Sequence, residues 1–471
     1  MPLEDRNTVD PIHGGDVYST IDVALQDVAE DALHRYLVKN NAEHGCVVLM
    51  ETKTGAIRAM ANLKVDSLGN ASENWNYAIA ENGEPGSTFK LASLMAAFED
   101  GYLTLEDKID TKGGIVNFYD LKIRDSRKGG YGVINVEEAF LKSSNTAISQ
   151  WIYSNYKNNK QAFVNRLYQF GLNSPLGIEI PGESSPLIKD LSTWSGVTLA
   201  QMAMGYEIKQ TPLQTLTFYN AVANGGKMVR PKFVEKYVFN GEEHEVETHV
   251  LSEAICSKET IEKAKVMLES VVDRGTAKNL RNDKYKIAGK TGTTQLNYWK
   301  GKENMSYKAS FVGYFPADAP EFSCIVVVST KSRDLYYGSH VAGPIFREVA
   351  DKVYAGSINI HDPINNEEAD KENPKFFAAH HEDLDALKEV FNISFGNVDA
   401  EFSVIDNGKI NYRDIKESMP NLIGLGLRDA IYVMENLGLS VNYEGNGKVV
   451  KQSLKEGSKL TKGTTVKIKL S

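Results

Sequence analysis

Basic charge, cysteine and long apolar runs are all in short supply in this sequence. Its 53 lysines and arginines are outnumbered by 62 aspartates and glutamates, a net charge of −9. No basic stripe interleaved with aromatic residues occurs, which argues against nucleic acid as a partner. There is no run of about 18 apolar residues and no signal-peptide pattern, so nothing in the sequence as given reads as a membrane span. Met1-Pro2-Leu3-Glu4-Asp5 has the look of an arbitrary start. Cys46, Cys256 and Cys324 are too far apart for a metal knuckle. Cys46 and Cys324 fall in strand-like runs and read as buried thiols. His380 and His381 are adjacent rather than spaced on one helix face, the pattern of surface residues. No metal and no cofactor is expected. The absence of any Gly-x-Ser-x-Gly argues against an α/β-hydrolase triad. Gly289-Lys290-Thr291 ends like a phosphate-binding loop, but Lys284 stands where the first glycine belongs.

What is present centres on Glu84-Pro85-Gly86-Ser87-Thr88-Phe89-Lys90, followed by the apolar run Leu91 to Phe98 and then Asp100-Gly101. Pro and Gly before good helix formers, with Gly after them, predict a helix start and stop. Ser87 is placed at or near the helix N-terminus, and Lys90, one turn on, shares its face. A serine hydroxyl becomes a nucleophile when a nearby base takes its proton. A helix N-terminus also favours an oxyanion forming there. Ser-x-x-Lys alone is far better explained as an N-cap serine with a surface lysine, and Ser154-Asn155-Tyr156-Lys157 repeats it without the Pro-Gly start.

Two further stretches change that balance. Ser143-Ser144-Asn145 follows the helical pattern Val136 to Leu141, and Lys290-Thr291-Gly292-Thr293-Thr294 follows the strand-like Lys286 to Gly289. Ser72-Glu73-Asn74 and Lys53-Thr54-Gly55 are chance repeats, the latter better explained as a turn between two apolar runs. Order, spacing and flanking structure single out Ser87, Lys90, Ser143, Asn145 and Lys290 as one constellation.

In chain order, a helix is predicted over Val23–Tyr36. A hairpin follows, over Cys46–Met50 and Ala56–Met60. Residues 85–280 read as mostly helical. Strands return at Lys286–Ala288, Ala309–Phe315 and Ser323–Val328, and a closing helix at Gly343–Tyr354. The fold class is α+β: an antiparallel sheet flanked by helices, beside a mainly helical subdomain. Residues 356–417, with the charged run Asn365–Asn373, read as a solvated linker. From 418 onward an amphipathic helix, Leu427–Leu437, and alternating strands predict an independently folding α+β module.

The three motifs in this order resemble the set shared by penicillin-binding proteins and class A β-lactamases. Residues 15–355 resemble the transpeptidase domain of class B penicillin-binding proteins, a resemblance carried also by Ser19-Thr20-Ile21-Asp22, Gln210-Thr211-Pro212-Leu213-Gln214, Ala223-Asn224-Gly225-Gly226 and Ser310-Phe311-Val312-Gly313. Residues 418–471 resemble one PASTA module through Pro420-Asn421-Leu422-Ile423-Gly424 and the turns at Gly457 and Gly463. A tail of that kind is reminiscent of the division-type enzymes.

The resemblance implies a peptidoglycan D,D-transpeptidase that cross-links stem peptides ending in D-Ala-D-Ala and is acylated by β-lactams. It also implies a membrane glycosyltransferase partner in septal wall synthesis. The expected location is the outer face of the bacterial cytoplasmic membrane, with an N-terminal anchoring helix lying outside this sequence. Ser87 would attack, and Lys90 would be the base, its pKa lowered by burial and by Lys290. Asn145 would bind the substrate amide and Lys90, and Ser143 would relay a proton to the leaving amine. Lys290 would offer charge to a substrate carboxylate, Thr291, Thr293 and Thr294 hydroxyls, and Gly292 a close approach of the strand edge. The oxyanion hole implied is the backbone N–H groups of Ser87 and Thr293. The alternatives are a serine β-lactamase, which needs a water-activating base, and a non-catalytic β-lactam sensor or wall-binding scaffold.

Overall fold

The computed structural model describes residues 14–296, 305–332, 334–356 and 418–471, together with the backbone of three short strands between 378 and 413. The start at Met1–Asp5, the charged run Asn365–Asn373 and His381 lie outside the described residues. The chain divides into two compact units, residues 1–361 and 362–471.

In the first unit, helix α1 (Val23–Asn40) is N-capped by Asp22, whose side chain accepts from Leu25 N, and ends at Asn41 in the left-handed region. Strands β1 (His44–Glu51), β2 (Ile57–Val65) and β3 (Ala71–Ser72) follow. Helix α2 (Lys90–Glu99) is buried from Lys90 to Phe98. Two helices meet at a tight junction: α3 (Val136–Leu141) and α4 (Asn145–Tyr156). Helix α5 (Pro212–Ala223) starts from a capping box of Thr211 and Gln214 and is buried along its whole length. Helix α6 (Lys258–Asp273) leads to strands β4 (Ala288–Leu296), β5 (Ser306–Phe315) and β6 (Phe322–Thr330), and α7 (Gly338–Gly356) closes the unit.

The six strands form one antiparallel sheet in the order β4-β5-β6-β1-β2-β3. Central strands such as β6 are buried on both faces, which explains their unbroken apolar runs. Helices α1 and α7 pack on the sheet, and α5 packs against β5 and β6. Strand β4 lies at the sheet edge. The predicted hairpin and the strands at Ala309–Phe315 and Ser323–Val328 are present, each longer than its apolar run, whereas Lys286 and Ile287 precede β4, which begins only at Ala288. The third motif sits inside β4 rather than after a strand, because the ladder from Ala288 to Leu296 runs through Lys290–Thr294.

The expectation of a mostly helical stretch over 85–280 is corrected in part. Ile115–Phe118 pairs with Leu121–Arg124, Lys108–Asp110 with Val133–Asn135, and Val234–Phe239 with both Asp16–Ser19 and Glu242–Glu245. The first pair shows the physical reason: its burial alternates residue by residue, the period of a strand. Among the described residues no helix is long and apolar enough to cross a membrane.

In the second unit, three strands, β7 (Ala378–His380), β8 (Phe402–Asp406) and β9 (Lys409–Arg413), form an antiparallel sheet. The linker reading of 356–417 is therefore narrowed: Asp406 pairs with Lys409 across Asn407-Gly408, a two-residue hairpin sequence. Beyond it, α8 (Leu427–Asn436) packs with strands β10 (Ser440–Glu444), β11 (Val449–Gln452) and β12 (Thr465–Leu470), ordered β10-β12-β11. Their own core includes Leu422, Val433, Met434, Val466 and Ile468.

Candidate active site

Ser87 occupies a 3₁₀ turn, Gly86–Thr88, that feeds directly into α2. The turn is fixed from three sides. Gly86 N–H donates to Gly205 O at 3.1 Å, Thr88 Oγ1 to Pro85 O at 2.9 Å, and the buried Tyr219 hydroxyl of α5 to Thr88 O at 2.8 Å. Gly86 has φ +58°, and a Cβ there would stand 2.2 Å from Thr294 Oγ1, so glycine is required on both counts. Ser87 is half-buried and lines a cleft of about 710 Å³. Its Oγ has no hydrogen-bond partner among the described residues, although Lys90 follows one turn later.

The Lys90 amine is engaged elsewhere. Fully buried, it donates to Ser143 O at 2.7 Å, Ser143 Oγ at 3.1 Å and Asn145 Oδ1 at 2.6 Å. Lys290, also fully buried, donates to the same Ser143 Oγ at 3.1 Å and to Thr291 O at 3.0 Å, with its ammonium 5.5 Å from the Phe140 ring centre. Ser143 Oγ thus bridges two amines. Burial lowers Lys90 to about 7, against the opposing pull of Asp125. Lys290 is driven well below its ordinary value by burial and then by Lys90. The Lys290 amine is sealed beneath the wall and faces Ser143.

The α3–α4 junction holds this cluster in place. Ser143 takes φ +55°, with its N–H on Phe140 O and the next N–H, of Ser144, on Ala139 O. This is a left-handed helix stop, where glycine is usual. Here the position carries a serine whose hydroxyl and carbonyl both serve the amines. Ser144 then caps α4, accepting from Ala147 N.

One residue completing the junction was not singled out from sequence. Asp125 Oδ1 accepts from Ser144 Oγ at 3.0 Å, Asn145 N at 2.7 Å and Thr146 N at 3.0 Å. Its Oδ2 accepts from Ser144 Oγ at 3.1 Å and Thr146 Oγ1 at 2.7 Å. A carboxylate on the first N–H groups of a helix satisfies orphan donors and complements the dipole. Asn145 is clamped further by its Nδ2, which donates to Arg124 O at 2.8 Å. No local motif marks Asp125. It arrives through the hairpin Ile115–Arg124, and only the fold brings it to α4.

Along β4 the third motif splits by face. Thr291, Thr293 and Gln295 line the cleft, as alternation requires. Thr291 Oγ1 is 3.0 Å from Thr276 Oγ1, and Thr293 Oγ1 accepts from Gly338 N at 3.2 Å. Gly292 and Thr294 do not line the cleft; they lie beneath the nucleophile turn. A Cβ at Gly292 would fall 2.2 Å from Ser310 Oγ and 3.1 Å from Thr88 Cγ2, and Thr294 Oγ1 donates to Glu84 O at 3.4 Å. This packing seats Ser87 against the strand. Three tyrosines, also unforeseen, continue the strand-side wall. Tyr307 stacks on Tyr336 at 4.3 Å, and the Tyr336 and Tyr337 rings lie 4.5 Å apart.

The repeated motifs stand apart from the cleft. Lys53-Thr54-Gly55 is the β1–β2 turn, with Gly55 at φ +77°, and Ser154 lies in the last turn of α4. Burial raises the thiols of Cys46 and Cys324 far above the usual range, which leaves them inert.

The penicillin binding protein transpeptidase domain model matches residues 45–351, and the PASTA domain model matches residues 417–471. Stage V sporulation protein D of Bacillus subtilis is 26% identical over all of this chain and 68% of its own length. Peptidoglycan D,D-transpeptidase FtsI of Escherichia coli K12 is 28% identical over 73% of this chain. The chain spans 57% of that relative's length. Penicillin-binding protein 3 of Mycobacterium tuberculosis, solved with aztreonam, superposes with a TM-score of 0.64 at 26% identity, covering 75% of this chain and 82% of that one. The transpeptidase domain of Burkholderia pseudomallei penicillin-binding protein 3 superposes with a TM-score of 0.61 at 23% identity, covering 73% and 98%. With a family model matched over most of its length and a cleft assembled from all three motifs, this chain belongs to the penicillin-binding protein transpeptidase family.

Proposed function

We propose that the chain is a peptidoglycan D,D-transpeptidase working through an acyl-enzyme on Ser87. The observation that carries this reading is Ser143 Oγ held 3.1 Å from each of two buried amines, on the floor of a cleft that exposes Ser87. A pure binding site has no need of two desolvated amines, whose burial is costly. A depressed amine pKa is what a general base requires.

In the proposed sequence, Ser87 Oγ attacks the carbonyl of the penultimate D-alanine as its proton passes to neutral Lys90. Substrate binding draws the Lys90 amine from the Ser143 carbonyl toward Ser87. The oxyanion is held by backbone N–H groups at Ser87 and Thr293. The tetrahedral centre collapses, the C–N bond breaks, and the leaving amine takes a proton through Ser143 Oγ, which is replenished from the lysines. An amine of a second stem then attacks the ester and gives up a proton to Lys90; the C–O bond to Ser87 breaks as the new amide forms, and Ser87 Oγ takes that proton from Lys90. The free edge of β4 can pair with an extended peptide, with Thr291 and Thr293 beside the terminal carboxylate. A septal role, a location at the outer face of the cytoplasmic membrane and a glycosyltransferase partner follow from the same reading.

The test is incubation with a labelled β-lactam, followed by intact mass over hours and peptide mapping. A single persistent adduct on Ser87, absent from Ser87→Ala, is expected. An adduct on Ser87→Ala would overturn the assignment, and turnover of many drug equivalents within seconds would make the protein a β-lactamase.

A further inference from the structure

The chain is acidic, with a net charge of −9, yet the cleft wall is not. Among the described residues its lining carries Lys122, Arg124 and Lys142 against a single acid, Asp125. Asp125 offers little negative charge to the cleft, because its oxygens accept five hydrogen bonds from the start of α4. Lys142 is paired with Glu138 at 3.3 Å. Lys122 and Arg124 are different: both are exposed, and neither has an acidic partner among the described residues.

Their placement follows from the hairpin. Ile123, between them, is buried in a small core with Val116, Phe118, Ala200 and Met204, which fixes the strand's face. Alternation then sends Lys122 and Arg124 to the opposite, solvent side, about 7 Å apart. Arg124 is also anchored to the site through its backbone, since its carbonyl accepts from Asn145 Nδ2 at 2.8 Å. Two neighbouring like charges contribute nothing favourable to the fold. Between them they present a planar fork and a mobile ammonium, the pairing suited to a carboxylate. A cleft lined by one sign of charge also concentrates ligands of the other.

We infer that Lys122 and Arg124 form a rim that reads a second carboxylate on the stem peptide, upstream of the reacting terminus, and so favours stems with that group free over stems with it amidated. The inference rests on the transpeptidase reading above and adds a substrate preference to it. The carboxylate belongs to the donor stem or to the acceptor stem, and the chemistry of recognition is the same for both.

The experiment uses synthetic stem-peptide thioesters as donors and stem-peptide amines as acceptors, each made with the upstream group as carboxylate or carboxamide. Acylation of Ser87 without acceptor reads the donor arm; aminolysis of the preformed acyl-enzyme reads the acceptor arm. In one arm the carboxylate is expected to react about tenfold faster, the ratio for one charge-assisted hydrogen bond. That ratio should fall toward one in Lys122→Gln/Arg124→Gln, and shrink in the wild type between about 0.05 M and about 0.5 M salt. The charge-preserving pair Lys122→Arg/Arg124→Lys should restore most of it, which separates charge recognition from damage to the hairpin. Equal rates for both forms in both arms, or a preference that survives the glutamine pair, would overturn the inference. A β-lactam adduct on Ser87 in the same preparations keeps the two readings apart: with an adduct and no preference only the rim fails, and without an adduct the transpeptidase reading fails first.

Discussion

The two walls of the cleft are built on different physical principles. The helix-side wall holds Lys90, Ser143, Asn145 and Asp125 through side-chain hydrogen bonds around the α3–α4 junction. The strand-side wall holds Thr291 and Thr293 through a nine-residue backbone ladder from Ala288 to Leu296. A ladder survives the loss of any one side chain, because its bonds belong to the main chain. A buried polar network does not, since each lost partner leaves another group unsatisfied in low dielectric. Chemistry that moves protons sits on the network, and chemistry that positions a peptide sits on the ladder.

That contrast orders the expected effects of substitution. The largest belongs to Lys90. Arginine cannot deprotonate at usable pH, so Lys90→Arg should lower β-lactam acylation by about a thousandfold, within the range of a lost general base. Lys290→Arg keeps a donor to Ser143 Oγ and should lose distinctly less. Equal losses, measured by adduct formation under identical conditions, would remove the distinction between the two amines.

Next comes Asp125. Asp125→Ala removes the acceptor for Asn145 N, Thr146 N and two hydroxyls, and should cost about 2 kcal/mol of stability by denaturant unfolding. Asp125→Asn keeps an acceptor but removes the charge that holds Lys90 up. The sign follows: without that charge Lys90 loses its proton more readily, so the rise of acylation with pH should move to lower pH. An unmoved profile would leave Asp125 a purely structural clamp.

The ladder side should respond less, and unevenly. Gly292→Ala drives a methyl into Ser310 Oγ and should destabilise by about 1–3 kcal/mol, with partial recovery in Gly292→Ala/Ser310→Gly. Thr291→Val, on the cleft face, should leave the melting temperature nearly unchanged and weaken only substrate reactivity. A melting-temperature drop in Thr291→Val matching that of Gly292→Ala would contradict the sidedness of β4.

The same contrast explains what was legible in the sequence. Ser87, Lys90, Ser143, Asn145 and Lys290 stand in three short motifs whose order survives without any knowledge of the fold, and the structure brings them together. The sheet was legible because its strands are continuous apolar runs between turn residues. Asp125 was not, because a lone aspartate after a hairpin has no spacing that links it to a helix start twenty residues away. The sidedness of Lys290–Thr294 was hidden for another reason: a motif read as a unit carries no information about which residues face the cleft once a strand runs through it. Tyr307, Tyr336 and Tyr337 come from two separate segments and share no local pattern. Within 356–417 the short strands Phe402–Asp406 and Lys409–Arg413 flank an Asn-Gly pair, a two-residue signal that the nearby charged run outweighs in composition.

Burial holds the Lys90 amine at about 7, against the pull of Asp125, and this lets it act as a base near physiological pH. The direct measurement is the second-order rate of Ser87 acylation by a β-lactam whose own charge is constant, taken from about pH 5 to about pH 10 with the folded state verified at each point. The rate should rise with pH and level off with a midpoint near the value of about 7 set by burial of Lys90. A flat profile, or a midpoint near that of an ordinary exposed lysine at about 10, would show that Lys90 is not the base.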